Sequence, residues 1–318
     1  MAKSNIEAEI GPMRFRTGRE RWAYLNKYKA LYFISIPGIL YFLLFKYVPL
    51  FGSVMAFQDY NIFKGYLGSP WVGLEHFQKM FQYTDFLRIL KNTLLLAFYS
   101  LAISFPVPII LALLLNEIRK VLFKRVLQTV FYMPHFLSWV VIGGIAIEIL
   151  SPRSGIVNNI ITSMGFEPIY FMGEESYIRT ILVSSGVWKD AGWGTIIYLA
   201  ALTSINPELY EASEIDGAGR WKQTLSITLP ALMPTITILF LLQIGHFMDF
   251  GFERVSIFLN TLNSGKGEIL DTYIYTVGLL DRQYSYTTAI GLFKSVVGLV
   301  LIMTGNTLSK KMTGEGLY

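Results

Sequence analysis

Long apolar runs are the feature that most constrains this chain. A helix needs about 20 mostly apolar residues to cross the roughly 30 Å hydrocarbon layer of a membrane, because each residue rises about 1.5 Å. Charged residues make up only 15% of the chain, against about 25% in an average soluble domain. The sequence therefore predicts an all-α, polytopic membrane protein with six transmembrane helices, at Leu31–Ala56, Thr93–Asn116, Val126–Leu150, Thr180–Leu202, Ala231–Phe250 and Thr288–Asn306.

A polar and basic segment of about 30 residues precedes the first apolar run. This segment, and the length of the run behind it, argue for a retained helix rather than a cleaved signal peptide. We predict a cytoplasmic arm over residues 1–30 and one six-span membrane domain over residues 31–318. The arginines between Arg14 and Arg21, followed by Trp22, suit contact with anionic lipid headgroups and not with nucleic acid.

The distribution of Lys and Arg predicts the orientation of the chain. With a cytoplasmic N-terminus, the inner segments carry fifteen of these residues and the much longer outer loops carry nine. An excess of Lys and Arg on the cytoplasmic side is the general rule for membrane helices. Both termini, and the loop at residues 204–229, are therefore predicted to lie in the cytoplasm.

Motifs for catalysis are absent from the sequence. The fragment Gly265-Lys266-Gly267 lacks the leading Gly and the Ser/Thr of a phosphate-binding loop. The chain has no Cys, and its three His show no spacing suited to a metal site. We therefore expect neither an enzyme nor a cofactor bound by this chain.

The loop at residues 204–229 carries the most informative pattern. Pro207 suits a first helical turn, with Ser204 or Asn206 as N-cap. Gly217 and Gly219 are expected to end this short helix. A second amphipathic piece, at residues 220–228, then leads into the fifth span.

A family resemblance rests on residues at fixed spacing in this loop: Glu211, Ala212, Gly217, Ile227, Leu229 and Pro230. They look like the EAA loop of the membrane permease subunits of bacterial ABC importers, with Ser213 where that motif usually has Ala. Further similarity, for example at Phe45-Lys46-Tyr47-Val48-Pro49 and Asp271-Thr272-Tyr273-Ile274-Tyr275, covers most of the chain. It resembles the carbohydrate-type importers, in the branch that handles oligosaccharides and polysaccharide fragments.

The resemblance implies a type I ABC importer permease bundle in the bacterial cytoplasmic membrane, forming half of a translocation pathway. It implies a second related permease, two ATPase subunits that bind ATP and Mg²⁺, an extracytoplasmic solute-binding protein and an oligosaccharide substrate. Whether the pore is homodimeric, and whether the sugar is acidic, stay open. The residues expected to couple to the ATPase are Glu211, Ala212, Ser213, Asp216, Gly217, Ala218 and Gly219.

Polar and aromatic residues inside the spans are candidates for the substrate pathway. Intramembrane charges, including Lys46 and Glu148, either pair with each other or face a cavity. Aromatic rings can stack on sugars, but they also form interfacial belts and helix contacts, and His246 is expected to be a packing group. The pathway candidates are Trp188, Lys189, Asp190, Trp193, Tyr198, Gln243, His246, Asp249 and Lys294.

The alternative function is an ion-coupled secondary transporter of a small polar solute. Such chains usually contain internal repeats, and residues 1–160 show no clear repeat in residues 161–318. The intramembrane charges leave proton coupling open.

Overall fold

The computed structural model describes residues 18–313, and this part of the chain is almost entirely helical, as the sequence predicts. The only strand-like pairing within it is one isolated bridge between Gln58 and Trp71. The α-helices are α1 (Gly18–Lys27), α2 (Lys29–Phe42), α3 (Gly65–Gly68), α4 (Glu75–Gln82), α5 (Thr84–Ser104), α6 (Pro106–Asn116), α7 (Val121–Tyr132), α8 (Trp139–Ile149), α9 (Ile156–Ser163), α10 (Glu175–Leu202), α11 (Pro207–Ile215), α12 (Arg220–Gln223), α13 (Leu229–Gly245), α14 (Phe252–Phe258), α15 (Ser264–Gly267), α16 (Leu270–Tyr273) and α17 (Tyr284–Thr313).

The described residues form two compact units, divided after Val54. In the first unit, α2 is followed by a π-helical turn, Leu43–Tyr47, and the 3₁₀ helix Val48–Phe57 contains the division between the units. None of the side chains of α2 is buried. An apolar helix with no buried side chain is typical of a segment that faces lipid.

Within residues 18–313, four helical segments are long and apolar enough to cross a membrane: Lys29–Phe57, Thr84–Asn116, Arg220–Gly245 and Tyr284–Lys311. A bent pair of helices brings the number to five. The polytopic, all-helical class is therefore confirmed, while the count by this criterion falls one short of the six predicted.

The remaining predicted span corresponds to α10, which has 28 residues and is long enough to cross. It is less apolar than the others, since it contains Lys189 and Asp190. Buried residues occur along α10 from Ile178 to Leu202, so it packs against other helices instead of lipid. At Gly192 a Cβ would lie 2.0 Å from the backbone oxygen of Phe131, so only glycine permits this approach to α7.

The third predicted span, Val126–Leu150, is not one helix. Segments Val121–Phe136 and Trp139–Ile149 meet at 105°. Leu137 and Ser138 have extended backbone between them, and the Ser138 Oγ accepts a hydrogen bond from the Val141 N–H at 3.3 Å. Pro134 also lacks an N–H for the helical ladder. The break therefore begins at the proline and ends at a new N-cap.

The fifth predicted span is correct in position but differs at both ends. The helix stops at Gly245, before the predicted end at Phe250. At its start, α12 runs through a π-helical turn, Thr224–Thr228, directly into α13. The piece predicted at residues 220–228 is thus part of the span, because the wide turn precedes Pro230 and accommodates its missing N–H.

Candidate functional site

The loop helix α11 begins and ends on local signals. Of the two predicted N-caps, Asn206 fills the position, and its Oδ1 accepts a hydrogen bond from the Glu208 N–H at 3.0 Å. At the other end Gly217 has φ +73°. Its N–H donates to Glu214 O at 3.0 Å, and the Ala218 N–H donates to Ser213 O at 2.9 Å. This pair of bonds is the Schellman arrangement that a glycine in this conformation allows.

The sequence predicts that Gly219 helps to end α11, but this prediction is wrong. It is the N-cap of α12 and has φ −72°. The two glycines therefore have different tasks, and only Gly217 needs a left-handed backbone.

Two side-chain hydrogen bonds fasten α11 to the helix that follows. The Tyr210 hydroxyl lies 2.9 Å from the Thr228 Oγ1, and the Gln223 Nε2 donates to the Ser213 Oγ at 2.9 Å. The serine at the motif's usual alanine position therefore has a structural use. An alanine could not accept this bond.

The seven residues predicted for coupling lie in α11 and directly after it. Ser213 and Ala218 are half-buried, and the other five are exposed. Large apolar side chains are exposed beside them, with Ile215 at 87% and Trp221 at 76%, and sequence reasoning did not single these out. Exposed apolar groups on a fixed helix are typical of a surface that binds another protein.

A cavity of about 510 Å³ lies among α5, α6, α10 and α13 and the turn after α13. Aromatic rings and polar groups both line it. Its lining residues are Ala97, Ser100, Leu101, Ser104, Phe105, Pro108, His135, Gly186, Val187, Asp190, Ala191, Trp193, Gly194, Ile197, Tyr198, Leu239, Leu242, Gln243, His246, Phe247, Asp249, Phe250 and Arg254.

The predicted pathway residues divide into two groups. The group that lines the cavity comprises Asp190, Trp193, Tyr198, Gln243, His246 and Asp249. Trp188, Lys189 and Lys294 do not line it. For the two lysines of this second group, the contacts favour a structural role.

Asp190 and Trp193 are joined by a histidine at the bend between α7 and α8. The His135 Nδ1 lies 2.9 Å from the Asp190 Oδ1. The same imidazole stacks on Trp193, with ring centroids 4.5 Å apart and planes within 5°. His135 therefore connects the side of the cavity that α10 forms to the bend between α7 and α8.

Lys189, the sequence neighbour of Asp190, contacts different groups. Its Nζ donates to His135 O at 2.7 Å and to Leu137 O at 2.5 Å. Neither carbonyl accepts a backbone N–H from any residue that the structure describes. The ammonium therefore supplies the donors that the bend removes.

Lys294 lies between two carboxylates. Its Nζ is 2.5 Å from an oxygen of Asp249 and 2.5 Å from an oxygen of Asp271. Burial alone would raise the pKa of Asp249, but its hydrogen bond and attraction to Lys294, with a smaller contribution from His246, lower that pKa. The carboxylate is thus ionised at neutral pH, and of the two arrangements expected for intramembrane charges, Lys294 adopts the ion pair.

His246 is not the packing group that the sequence suggested. Its side chain is 75% exposed, and its Nδ1 lies 3.4 Å from the Asp249 Oδ2. The turn after α13 directs it toward the cavity, which it lines.

Arg254 is a cavity residue that sequence reasoning missed. The sequence places Arg254 among the charges of a predicted outer loop. The structure instead buries it in α14, where the residue is 7% exposed. Its only sequence signal is its place nine residues after the end of the fifth span. Among the described residues, no cluster of His, Asp and Glu suits a metal ion.

Comparison with known proteins identifies the class to which this fold and loop belong. The family of binding-protein-dependent transport system inner membrane components matches residues 104–314, and the chain belongs to this family. It is thus a permease subunit of an ABC importer, as the loop motif predicted.

Two relatives come from Bacillus subtilis (strain 168). The polygalacturonan/rhamnogalacturonan transport system permease protein YteP is 50% identical over 294 residues, which cover 92% of each chain. Protein LplB is 46% identical over 296 residues, or 93% of each chain.

A solved structure of similar fold is a bacterial ABC transporter involved in the import of the acidic polysaccharide alginate. The identity is 39% and the TM-score 0.86, over 92% of this chain and 99% of that one.

Proposed function

We propose that this chain forms one half of the translocation pathway of an ATP-driven importer for oligosaccharides. The observation that carries this proposal is the cavity, since Trp193 and Tyr198 offer ring faces while Gln243 and His246 offer hydrogen bonds. Sugars present both apolar C–H faces and hydroxyl groups, so this mixture suits them. One relative is named for polygalacturonan/rhamnogalacturonan transport and the solved structure is of an alginate importer, which supports a carbohydrate substrate.

Coupling to ATP hydrolysis is assigned to α11 and its exposed neighbours. A separate ATPase subunit would bind ATP and Mg²⁺ and hold this surface, while the chain itself hydrolyses nothing. The hydrogen bond between Tyr210 and Thr228 and the one that Ser213 accepts from Gln223 tie α11 to the continuous helix Arg220–Gly245. That helix of 26 residues carries Gln243 of the cavity near its far end. A displacement of α11 would therefore reach the cavity through one rigid element.

The remaining partners follow from the same assignment. A second permease would complete the pathway, and a solute-binding protein would deliver the sugar from outside. Both termini and α11 would lie in the cytoplasm, as the distribution of Lys and Arg predicts.

Reconstitution tests the proposed function. Proteoliposomes would hold this chain, its second permease and the ATPase, with the binding protein and labelled tetragalacturonate or its methyl ester outside. Uptake is expected only with internal ATP and only when the ATPase is present. Uptake driven by a proton gradient without ATP would contradict the proposal and favour the secondary transporter.

Gly217→Trp tests the coupling surface. The bulky side chain should block the ATPase contact, so ATPase co-purification and uptake should both be lost while membrane insertion is normal. The matched control is Gly165→Trp, because Gly165 also has a positive φ and open space around its Cβ position but lies in the loop after α9. If Gly217→Trp retained the ATPase and full uptake, the coupling assignment would be wrong.

A further inference from the structure

The side chain of Arg254 is held in one position by four neighbours. Its Nε donates to Leu182 O at 2.8 Å, and its Nη2 donates to the same carbonyl. The guanidinium carbon lies 4.2 Å from the ring centroid of Phe250 and 5.4 Å from that of Trp139. At Gly186 a Cβ would lie 2.3 Å from Nη2, so the glycine leaves the space that the guanidinium fills.

This fixed cation lacks a counter-ion within the described residues. Its hydrogen bonds go only to Leu182 O, and Nη1 donates to no described residue. The Asp190 carboxylate attracts the Arg254 cation electrostatically, but this carboxylate binds His135. Burial lowers the pKa of Arg254 to about 10, so the group is still a cation at neutral pH. A buried cation without a partner is unfavourable, and an anionic ligand would relieve this cost.

The cavity supplies the place where such a ligand could bind. Arg254 is the only Arg or Lys among the described residues that line it. Lys189 and Lys294 are already bonded to protein oxygens and lie outside the lining. A guanidinium edge binds a carboxylate with two parallel N–H donors, and no neutral sugar hydroxyl reproduces that geometry.

We propose that Arg254 determines specificity for acidic oligosaccharides, with its Nη1 edge binding the carboxylate of a uronic acid unit in the cavity. This inference rests on the proposed function and deepens it by naming the substrate class. Trp193 and Phe247, on the same cavity, would contact the sugar ring whose carboxylate is bound.

The test compares two probes that differ only in charge, tetragalacturonate and its fully methyl-esterified form. ATP-driven uptake of both is measured in proteoliposomes of the complete complex. Arg254→Gln should lower the ratio of acid to ester uptake about tenfold, which corresponds to one lost charge-assisted hydrogen bond. Uptake of the ester should fall by a smaller factor than uptake of the acid, because the ester lacks the charge that Arg254 binds. Arg254→Lys keeps the positive charge but lacks the two parallel N–H donors of the guanidinium. It should therefore give a ratio between those of the wild type and of Arg254→Gln.

The matched control is Arg88→Gln. Arg88 binds Glu268 at 3.1 Å and does not line the cavity, so its loss should change both rates alike and leave the ratio unchanged. Gly186→Ala displaces the guanidinium while keeping its charge, and it should also lower the ratio.

An unchanged ratio in Arg254→Gln would overturn the inference. If Arg254→Gln fails to assemble into the complex, unchanged ratios of acid to ester uptake in both Arg254→Lys and Gly186→Ala would also overturn the inference. A wild-type complex that imports the ester but not the acid would also overturn it while leaving the proposed function intact. A wild-type complex that imports neither form with ATP would instead count against the proposed function.

Discussion

Lys189 connects the middle of α10 to the bend between α7 and α8. It donates to two carbonyls that have no backbone partner, so its charge serves the fold and does not face the cavity. Unpaired carbonyls at a broken helix are costly when water is excluded. The ionisable residue thus makes the break possible.

Lys189→Met should lower the stability of the purified chain by about 3–6 kcal/mol, since each of its two hydrogen bonds from a charged donor is worth roughly 1.5–3 kcal/mol. The measurement is the apparent melting temperature in detergent. Lys91→Met is the control, because Lys91 is an exposed lysine of α5. Equal melting temperatures for the two variants would show that Lys189 does not hold the bend.

Lys294 has a comparable task between Asp249 and Asp271. Lys294→Gln removes the cation and leaves two carboxylates close together, so we expect a stability loss larger than that of the double variant Lys294→Gln/Asp271→Asn. With the loss measured for the single variant Asp271→Asn, these two losses complete a double-mutant cycle that gives the interaction energy of the ion pair. Acidic and neutral sugars should be slowed equally by Lys294→Gln, because Lys294 does not line the cavity. A selective loss of acidic uptake would show instead that Lys294 acts on the charge of the substrate.

At the scale of elements, α11 is a helix whose end depends on one glycine. Gly217 and Gly219 both have open space where a Cβ would lie, but only Gly217 has positive φ. The two positions therefore differ in backbone conformation and not in the space available for a Cβ.

Gly217→Ala should weaken the C-terminal turn of α11, because a left-handed residue with a Cβ costs roughly 1–2 kcal/mol. Amide exchange over Pro207–Ile215, followed by mass spectrometry, should accelerate about tenfold or more for this variant. Gly219→Ala should exchange at the wild-type rate. If both variants exchanged equally fast, the Schellman end would not control the helix.

The sequence predicts this loop well because its signals are local. Asn206, Pro207 and Gly217 act within one turn of the residues they cap. The bend at Pro134 could not be predicted in the same way, since Pro37 and Pro234 lie inside helices that continue. What distinguishes Pro134 is Lys189, which approaches from 54 residues away to bond His135 O.

Arg254 escaped prediction for a related reason. A single arginine after a predicted span is normally interpreted as a charged surface residue. Only the fold brings Leu182 and Trp139 into contact with Arg254. Such contacts between distant segments have no periodic or motif signal in a single sequence.

At the scale of the whole chain, the long helices of the second unit separate two ends. Tyr60 packs against Tyr284 at the start of α17, with ring centroids 6.3 Å apart, so the segment that holds Lys64 lies at that end. Lys311 lies at the opposite end of the span Tyr284–Lys311. Its 28 residues give a length of about 42 Å, which exceeds the hydrocarbon layer.

Single cysteines test which end faces the cytoplasm, because the natural chain has none. Lys64, Ser163, Arg220 and Lys311 are all exposed, so a thiol at any of them can react. The Lys and Arg distribution predicts that Lys64→Cys and Ser163→Cys react with an impermeant maleimide in intact cells. Arg220→Cys and Lys311→Cys should react only after permeabilisation, and the permeabilised signal of each variant is its own control. Arg16→Cys should also react only after permeabilisation, although Arg16 lies outside the described residues. Labelling of Arg220→Cys in intact cells would place α11 on the side away from ATP, and the coupling surface could then have no role in energising transport.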